Sequence, residues 1–451
     1  METEYTIASV DTAKELGLTN YEQSYTELVA IEKFARNSEK MELLNKTVTA
    51  LMENAWEHST VETLVNVFHF ILTRRAQQKS AIIVVVKKCA EYIQQLKAKG
   101  DFVHYEMMSK SVCTETEGKV FVDIERARIV KDYALFLEHN KNLAEATQLM
   151  QSMHIETFTS LDKKERMDFL LVQLRISLEC DDYLRAMLLS NKVNRTTIQS
   201  EGFEELRLEF CRLMVKYYSH EMNYIENCRM MLMCFETLTA LKPEVKFEIS
   251  ENEFLRTQKF CIDESVALKL AVMYLICAEF IPEKKDLLTK LKGIRMLENF
   301  PVYQGAVEMF LTEEVIDSKR LVGVYVELYK SECAIHMERP VEEIAARLQL
   351  QITQHNVRII AKYYHNITLS RFAELLGVTI NELEKQICAL VNSKQIFAKI
   401  DRPKALVSFV KTKDPKEVLD IWSEDIQQLL TLVNDTCFLI ETEKMVHQGN
   451  N

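Results

Sequence analysis

Hydrolysis at a metal needs ligands at set spacing, and the 451-residue chain lacks the common arrangements. No His-Glu-x-x-His occurs, nor a His-x-His followed by an aspartate, the ligand pattern of metal-dependent isopeptidases. His355 and His365 stand on or beside a helix and read as surface or capping residues. Thr116-Glu117-Gly118-Lys119 has the ending of a phosphate loop. Cys113 replaces its first glycine, and Val120 replaces the hydroxyl that would hold magnesium, so the match fails. No G-x-G-x-x-G or G-x-S-x-G is present, and Glu313-Glu314 and Glu342-Glu343 read as solvated helix faces. The 11 cysteines are scattered singly, among them Cys89, Cys180, Cys211, Cys277 and Cys388, with no C-x-x-C. Cys228 and Cys234 have no nearby Cys or His partners for zinc. These spacings describe free buried thiols in a reducing compartment. No catalytic activity, metal or cofactor is expected.

What remains is binding chemistry, and it concentrates between His355 and Val410. Thr368 or Ser370 can cap a short helix carrying Phe372, Leu375 and Leu376, and Gly377 supplies a left-handed stop. A second helix follows from Ile380, with Leu383, Ile387, Leu390 and Val391 on one face. Ile396, Ala398 and Ile400 then alternate with Phe397 and Lys399, Asp401-Arg402-Pro403-Lys404 turns the chain, and Leu406 to Val410 returns. Helix, turn, helix, hairpin is the order of a winged helix.

A winged helix can grip a nucleic acid or another protein. Base-reading helices carry polar and basic side chains into the major groove. Here Glu382, Glu384, Lys385 and Lys394 on the second helix sum to zero. The segment from Val341 to Lys411 holds 10 Lys/Arg and 6 Asp/Glu, and its excess sits at Arg358, Lys362, Lys399, Arg402 and Lys404. The net charge of −11 for the whole chain opposes polyanion and acidic-membrane binding. Protein contact is the expectation. A nucleic-acid binder using Lys399, Arg402 and Lys404 is the alternative.

The rest of the chain must hold this segment in place. Glycine and proline number only 9 and 6, and no proline precedes Pro243, which describes helices joined by short turns. A weak motif recurs: a capping residue followed by an apolar one, then often a small residue. Its copies begin at Asn20, Thr60, Asp101, Asn142, Asp182 and Asn223, in steps of 40, 41, 41, 40 and 41 residues. Each reads as a helix start with the second residue facing inward. A period near forty fits helix pairs that bury their apolar faces by stacking on neighbours. Pro243, Pro282, Pro301 and Pro340 then mark shorter helices, and Val266 to Phe280 is apolar enough for a buried one. Val341, Ile344, Leu348, Ile352, Ile359 and Tyr363 trace one face of a long helix leading into the winged segment.

Asp414-Pro415 opens a last helix, on which Val418, Trp422, Ile426, Leu429, Val433, Cys437 and Ile440 form a stripe. About thirty helical residues reach about 45 Å. A tail of that length suits packing against other helices in an assembly. The first residues have neither a basic start nor an apolar core, so no secretory signal is expected. The most apolar runs, Ala81–Val86 and Ala267–Ile276, are short of a membrane span.

Several stretches resemble one family. Thr116–Lys131 (TEGKVFVDIERARIVK), Glu156–Leu178, HNVRIIAKYY, ITLSRFAELL, IFAKIDR and the closing DPKEVLDIWSEDIQQLLTLVNDTCFLI are similar to the PCI-domain subunits of the proteasome lid. The likeness runs from about Glu115 onward and is loosest between Pro282 and Pro340. It implies an all-α fold: a right-handed, TPR-like helical-repeat solenoid, then a winged-helix (PCI) domain with a small β-hairpin wing and a long C-terminal helix. The expected divisions are 1–240 for the solenoid, 241–354 for the helical part of the PCI domain, 355–411 for the winged helix and 412–451 for the bundle helix.

The resemblance implies a non-catalytic scaffold supporting lid assembly and ATP-dependent degradation of ubiquitinated proteins, in cytoplasm and nucleus. Implied partners are other PCI subunits of the lid, its metal-dependent deubiquitinase and the ATPase ring, in a hetero-oligomer without nucleic acid or membrane. A PCI subunit of the COP9 signalosome is the closest rival, and a translation initiation factor 3 subunit a more distant one. A short edge strand can extend a neighbour's sheet. The expected contact residues are Ile396, Phe397, Lys399, Ile400, Val407 and Phe409 on the wing, and Trp422, Leu429, Val433 and Ile440 on the tail. How the wing residues, Leu406 among them, divide between local core and seam is left open by the sequence.

Overall fold

The computed structural model describes residues 7–17, 20–38, 40–155, 158, 161–240, 263–330, 340–410 and 415–449. The chain divides into two compact units, Met1–Glu264 and Ser265–Asn451. The expected boundaries at 240/241 and 411/412, with Pro243, Cys261, Cys333 and Asp414, touch or lie outside the described residues.

The first unit is a helical solenoid built from pairs. These are α1 (Ile7–Leu16) with α2 (Tyr21–Asn37), α3 (Met41–His58) with α4 (Val61–Thr73), and α5 (Lys79–Lys99) with α6 (Phe102–Glu115). Then come α7 (Asp123–His139) with α8 (Leu143–Gln151) and α9 (Lys163–Glu179) with α10 (Tyr183–Lys192). After the single turn α11 (Arg195–Ile198), α12 (Glu204–His220) pairs with α13 (Tyr224–Ala240). Helices α1, α3, α5, α7, α9 and α12 pack in series as one layer, and the capped helices, including the α4–α6 neighbours, form the other.

All six motif copies start a helix of the second layer; the residue after the capping position is buried as expected at Tyr224, but in the other five copies the inward position differs from the expected one. Phe102 is 55 % exposed, whereas the residue four after each polar one is buried: Ser24, Leu64, Tyr105, Ala146, Ala186 and Asn227. In a helix, the first residue after the cap and the fourth point about 60° apart, so the fourth can face the core while the first lies at its rim; in the last copy Tyr224 and Asn227 are both buried. Side-chain capping bonds form at Asp182, which accepts from Arg185 N at 3.1 Å, and at Asn223, which accepts from Glu226 N at 3.4 Å.

The turn before the last four copies repeats one backbone geometry. Gly100, Lys141, Asp181 and Met222 are left-handed, with φ of 76°, 65°, 57° and 59°. Their followers Asp101, Asn142, Asp182 and Asn223 donate backbone N–H groups to Leu96, Leu137, Ser177 and Tyr218, at 2.9–3.2 Å. One polar residue thus closes a helix and opens the next. Only the first turn uses glycine. Lys141→Gly relieves the left-handed strain of a Cβ-bearing residue, so it is expected to stabilise the chain by about 0.5–1 kcal/mol after the entropy cost of glycine. Urea denaturation checks this, and a lower midpoint would contradict it.

An ionic ladder runs along the first layer. Glu53 pairs with Lys14 and, at 3.7 Å, with Lys88; Lys87 pairs with Glu125, Arg128 with Glu165, and Lys131 with Asp168. At its far end Arg175 bridges Glu138 at 2.9 Å and Glu209 at 3.4 Å, joining α7, α9 and α12. Arg175 is 3 % exposed. Burial pushes the Glu209 carboxyl up, opposed by Arg175 and Arg212.

In the second unit α14 (Glu264–Cys277) is buried from Ala267 to its end except at the half-buried Lys269. The buried Lys284 ammonium caps its end, donating to Ala278 O at 2.7 Å and Ile276 O at 3.3 Å. Pro282 and Pro301 occupy the first turns of α15 (Pro282–Lys292) and α16 (Pro301–Leu311), where a missing N–H is tolerated. After α17 (Ser318–Leu328), α18 (Val341–Tyr363) buries Ile344, Leu348 and Ile352, but Tyr363 at its end is 63 % exposed. Asn356 clasps Ile316 through both backbone groups at 2.8 Å.

The winged helix follows as β1 (Asn366–Thr368), α19 (Leu369–Leu376), α20 (Ile380–Asn392), β2 (Lys399–Asp401) and β3 (Leu406–Ser408). The sheet order is β1-β3-β2, antiparallel. Both hairpin strands are shorter than their alternating patterns, and β1 completes the sheet. Ile367, Phe372, Leu383, Ile387, Leu390 and Val407 form the core. Gly377 ends α19 at φ 65°, as its position predicts. The last helix, α21 (Pro415–Gly449), spans 35 residues.

Two sequence expectations are corrected. His355 is not a surface residue: it is 6 % exposed and meets Phe310 edge-on at 5.4 Å. Burial, then the charges of Arg358 and Lys284, lower its pKa from 6.5 to about 4, against a backbone bond with Glu314. The folded chain therefore resists a proton that the unfolded chain accepts. Stability is expected to fall as pH drops from 6.5 toward 4, by about 3 kcal/mol in all. Urea midpoints across that range should slope less in His355→Asn, and equal slopes would refute the assignment. Nor are all thiols buried: Cys388 and Cys437 are exposed and Cys180 is half-buried, while Cys89, Cys113, Cys211, Cys228, Cys234 and Cys277 are buried. Burial pushes the Cys113 and Cys211 thiols up to about 12, which keeps them unreactive.

Candidate partner-binding surfaces

The wing is positioned by its own core and by a clamp to the preceding helices. The Arg358 guanidinium lies 3.9 Å over the Phe280 ring and donates to Gln395 Oε1 at 3.1 Å. Gln395 Nε2 in turn donates to Phe280 O at 3.1 Å. Burial lowers the Arg358 pKa to about 10. The start of the wing is thereby tied to the loop between α14 and α15.

The strand register sorts the expected wing residues. Ile367, Val407 and Ile400 lie opposite one another and point to the core side, and Val407 is fully buried. Phe409 is partly buried, edge-on to Phe372 at 5.9 Å, and Ile396, Phe397, Ile400 and Leu406 are also half-buried. Lys399 is exposed, its ammonium 5.8 Å over the Phe397 ring. Among the described residues β2 pairs with β3 alone, which makes it an edge strand. Beside it lies an open groove of about 920 Å³, lined by Ile387, Cys388, Val391, Ala398, Ile400 and Arg402 among others.

Four of the five cations that could have formed a phosphate-binding patch have partners, while Lys399 stays exposed. Arg358 is buried in the clamp, Lys362 pairs with Glu313, Arg402 with Glu384 at 3.2 Å, and Lys404 with Asp401 at 4.0 Å. Helix α20 opens with a capping box between Thr379 and Glu382. That T-x-x-E signature was legible in the sequence, and it uses one of the acidic groups that make this helix a poor phosphate ligand. Gly118 is left-handed at φ 78° and turns the chain before α7, with Val122 buried behind it.

The tail presents a second surface. Every described side chain from Pro415 to Val446 is exposed, including Trp422 and Leu429 at 62 % and Val433 and Ile440 at 50 %. Leu432, Phe438, Leu439 and Val446, outside the stripe read from the sequence, are exposed as well. Among the described residues no group of side chains is arranged to hold a metal ion, and no helix is long and apolar enough to cross a membrane.

Comparison with known proteins follows the same division. Residues 23–242 match the family described as PSMD12/CSN4, N-terminal; residues 332–411 match the PCI domain; and residues 416–448 match the 26S proteasome regulatory subunit RPN5 C-terminal domain. The 26S proteasome non-ATPase regulatory subunit 12 of Dictyostelium discoideum is 31 % identical over 94 % of this chain and 90 % of its own length. Homolog A from Arabidopsis thaliana is 29 % identical over 95 % of this chain and 98 % of its own length. The rival is more distant: COP9 signalosome complex subunit 4 of Arabidopsis thaliana is 22 % identical over 71 % of this chain and 76 % of its own. With a helical-repeat solenoid followed in the sequence by a winged helix, an uncovered tail helix that matches on its own, and 31 % identity over 94 % of its length, the chain belongs to the 26S proteasome non-ATPase regulatory subunit 12 family.

Proposed function

We propose that this chain is a non-catalytic scaffold subunit of the proteasome regulatory particle lid, working in cytoplasm and nucleus. Its role is to support lid assembly and, through it, ATP-dependent degradation of ubiquitinated proteins. The carrying observation is the tail: 35 helical residues with Trp422, Leu429, Val433 and Ile440 left uncovered by the chain itself. Uncovered apolar area on that scale is costly in water and marks an interface.

In this reading the chain works in four parts: 1–240, 241–354, 355–411 and 412–451. The wing meets other PCI subunits through Lys399, Ile396, Phe397, Ile400 and Phe409, with Val407 supporting the sheet from behind. The tail enters a helical bundle, and the chain positions and restrains the lid's metal-dependent deubiquitinase against the ATPase ring without doing chemistry itself. No nucleic acid is a partner, since most of the wing's cations already have carboxylate neighbours.

Affinity purification of the tagged full chain tests this. Lid subunits and ATPases are expected in near-equal amounts. Recovery of signalosome subunits alone would move the chain to the rival complex, and recovery of neither would end the proposal.

A further inference from the structure

Helix α10 rests on the solenoid by one side only. Ala186, Leu189 and Ser190 are buried, while Leu184, Met187 and Leu188 point to solvent. The two leucines are 81 % and 63 % exposed. At about 100° per residue they lie about 40° apart, with Met187 on one flank and Arg185 on the other. The face is held at its start, where Tyr183 stacks on His220 of α12 at 3.6 Å. Its ends differ in sign. Asp181 stands exposed just before the helix, and Lys192 is exposed at its last position, with Arg195 beyond.

Such a face fits its own copy turned end for end. With a two-fold axis level with Ala186, Leu184 of each copy lies opposite Leu188 of the other. Met187 meets Met187 beside the axis. Asp181 of one copy and Lys192 of the other fall within one residue of being opposite, about 1.5 Å along the helix. Arg185, also near the axis, has its own carboxylate in Asp182 at 3.8 Å. A parallel copy would instead set acid against acid and base against base. Antiparallel packing also places the positive end of each helix beside the negative end of the other.

We propose that the chain before assembly forms a two-fold dimer through α10, with the two helices antiparallel. The apolar face supplies the affinity. Lys192 also has a partner in its own chain, so its pairing with Asp181 sets orientation more than strength. Three apolar side chains per copy make a small interface, and the dimer is therefore weak enough to yield to tighter contacts. It concerns the free chain, and it stands or falls apart from the lid reading.

Sedimentation equilibrium of the full chain tests this. A reversible monomer–dimer equilibrium in the micromolar range is expected. Leu184→Asp with Leu188→Asp should weaken it at least tenfold with the circular dichroism unchanged, since both side chains are exposed. Asp181→Lys and Lys192→Asp should each weaken it several-fold, and the two together should restore it. Asp181 is left-handed at φ 57°, a backbone that Lys141 already adopts one repeat earlier, so lysine is tolerated there. A chain still monomeric at about 0.1 mM would overturn the inference. So would a dimer that survives the loss of both leucines, or charge reversals that leave its strength unchanged.

Discussion

A chain ending at Lys413 is expected to lose only the deleted helix's share of the circular dichroism and to keep the denaturation midpoint of the full chain, but to be absent from purified lid. Every described side chain from Pro415 to Val446 is exposed, so removing the helix takes no packing from the two units. It does remove the tail's apolar stripe. A buried leucine-sized side chain contributes about 1.5–3 kcal/mol, so four lost anchors outweigh what the three-residue edge strand β2 can supply. Incorporation should fall by at least a hundredfold in competition with the full chain, read by quantitative mass spectrometry of purified lid. Loss of helical signal beyond that of the deleted helix would show that the tail belongs to the chain's own core. Unchanged incorporation would show that the wing alone makes the assembly.

Arg175→Ala is expected to destabilise the solenoid by about 3–5 kcal/mol, because it strands two partly buried carboxylates. Arg175 bridges Glu138 on α7 and Glu209 on α12, and its side chain is only 4 % exposed. Without it the Glu209 carboxyl keeps Arg212 as a neighbour, 4.0 Å away. Replacing the whole triad, with Arg175→Met, Glu138→Leu and Glu209→Leu, should cost less, since both carboxylates leave together with their partner, although Arg212 then loses Glu209 as a neighbour. Urea denaturation of both variants separates the outcomes. An Arg175→Ala midpoint equal to that of the parent chain would mean that water reaches the site and screens the charges. The exposed pair Arg128–Glu165 serves as a control, where Arg128→Ala should change stability by less than about 1 kcal/mol.

The repeat was readable because caps and helical periodicity are local properties. Asn142 and Asp182 announce their helices whatever lies around them. Which residue of each turn faces the core was not readable, because that depends on the neighbouring helix. The structure puts Ala146 and Ala186 there, not Leu143 and Tyr183. Strand β1 escaped notice because three residues cannot show an alternation; only pairing with β3 makes Asn366–Thr368 a strand. The ladder through Glu53, Lys88, Arg175 and Glu209 was equally hidden, since its partners lie one repeat apart on helices whose register emerges only on stacking.

By itself the amino-acid order determined the helical class, the forty-residue period, the winged-helix order with its stop at Gly377, and a tail longer than one domain needs. Each of these follows from backbone preference and from the spacing of apolar side chains within a single element. Only the tertiary structure decided that Val407 belongs to the core while Lys399 faces outward, that His355 is buried, that Arg402 and Lys404 have carboxylate neighbours, and that the tail stays uncovered. Burial and pairing are relations between distant segments, and they exist only once those segments meet.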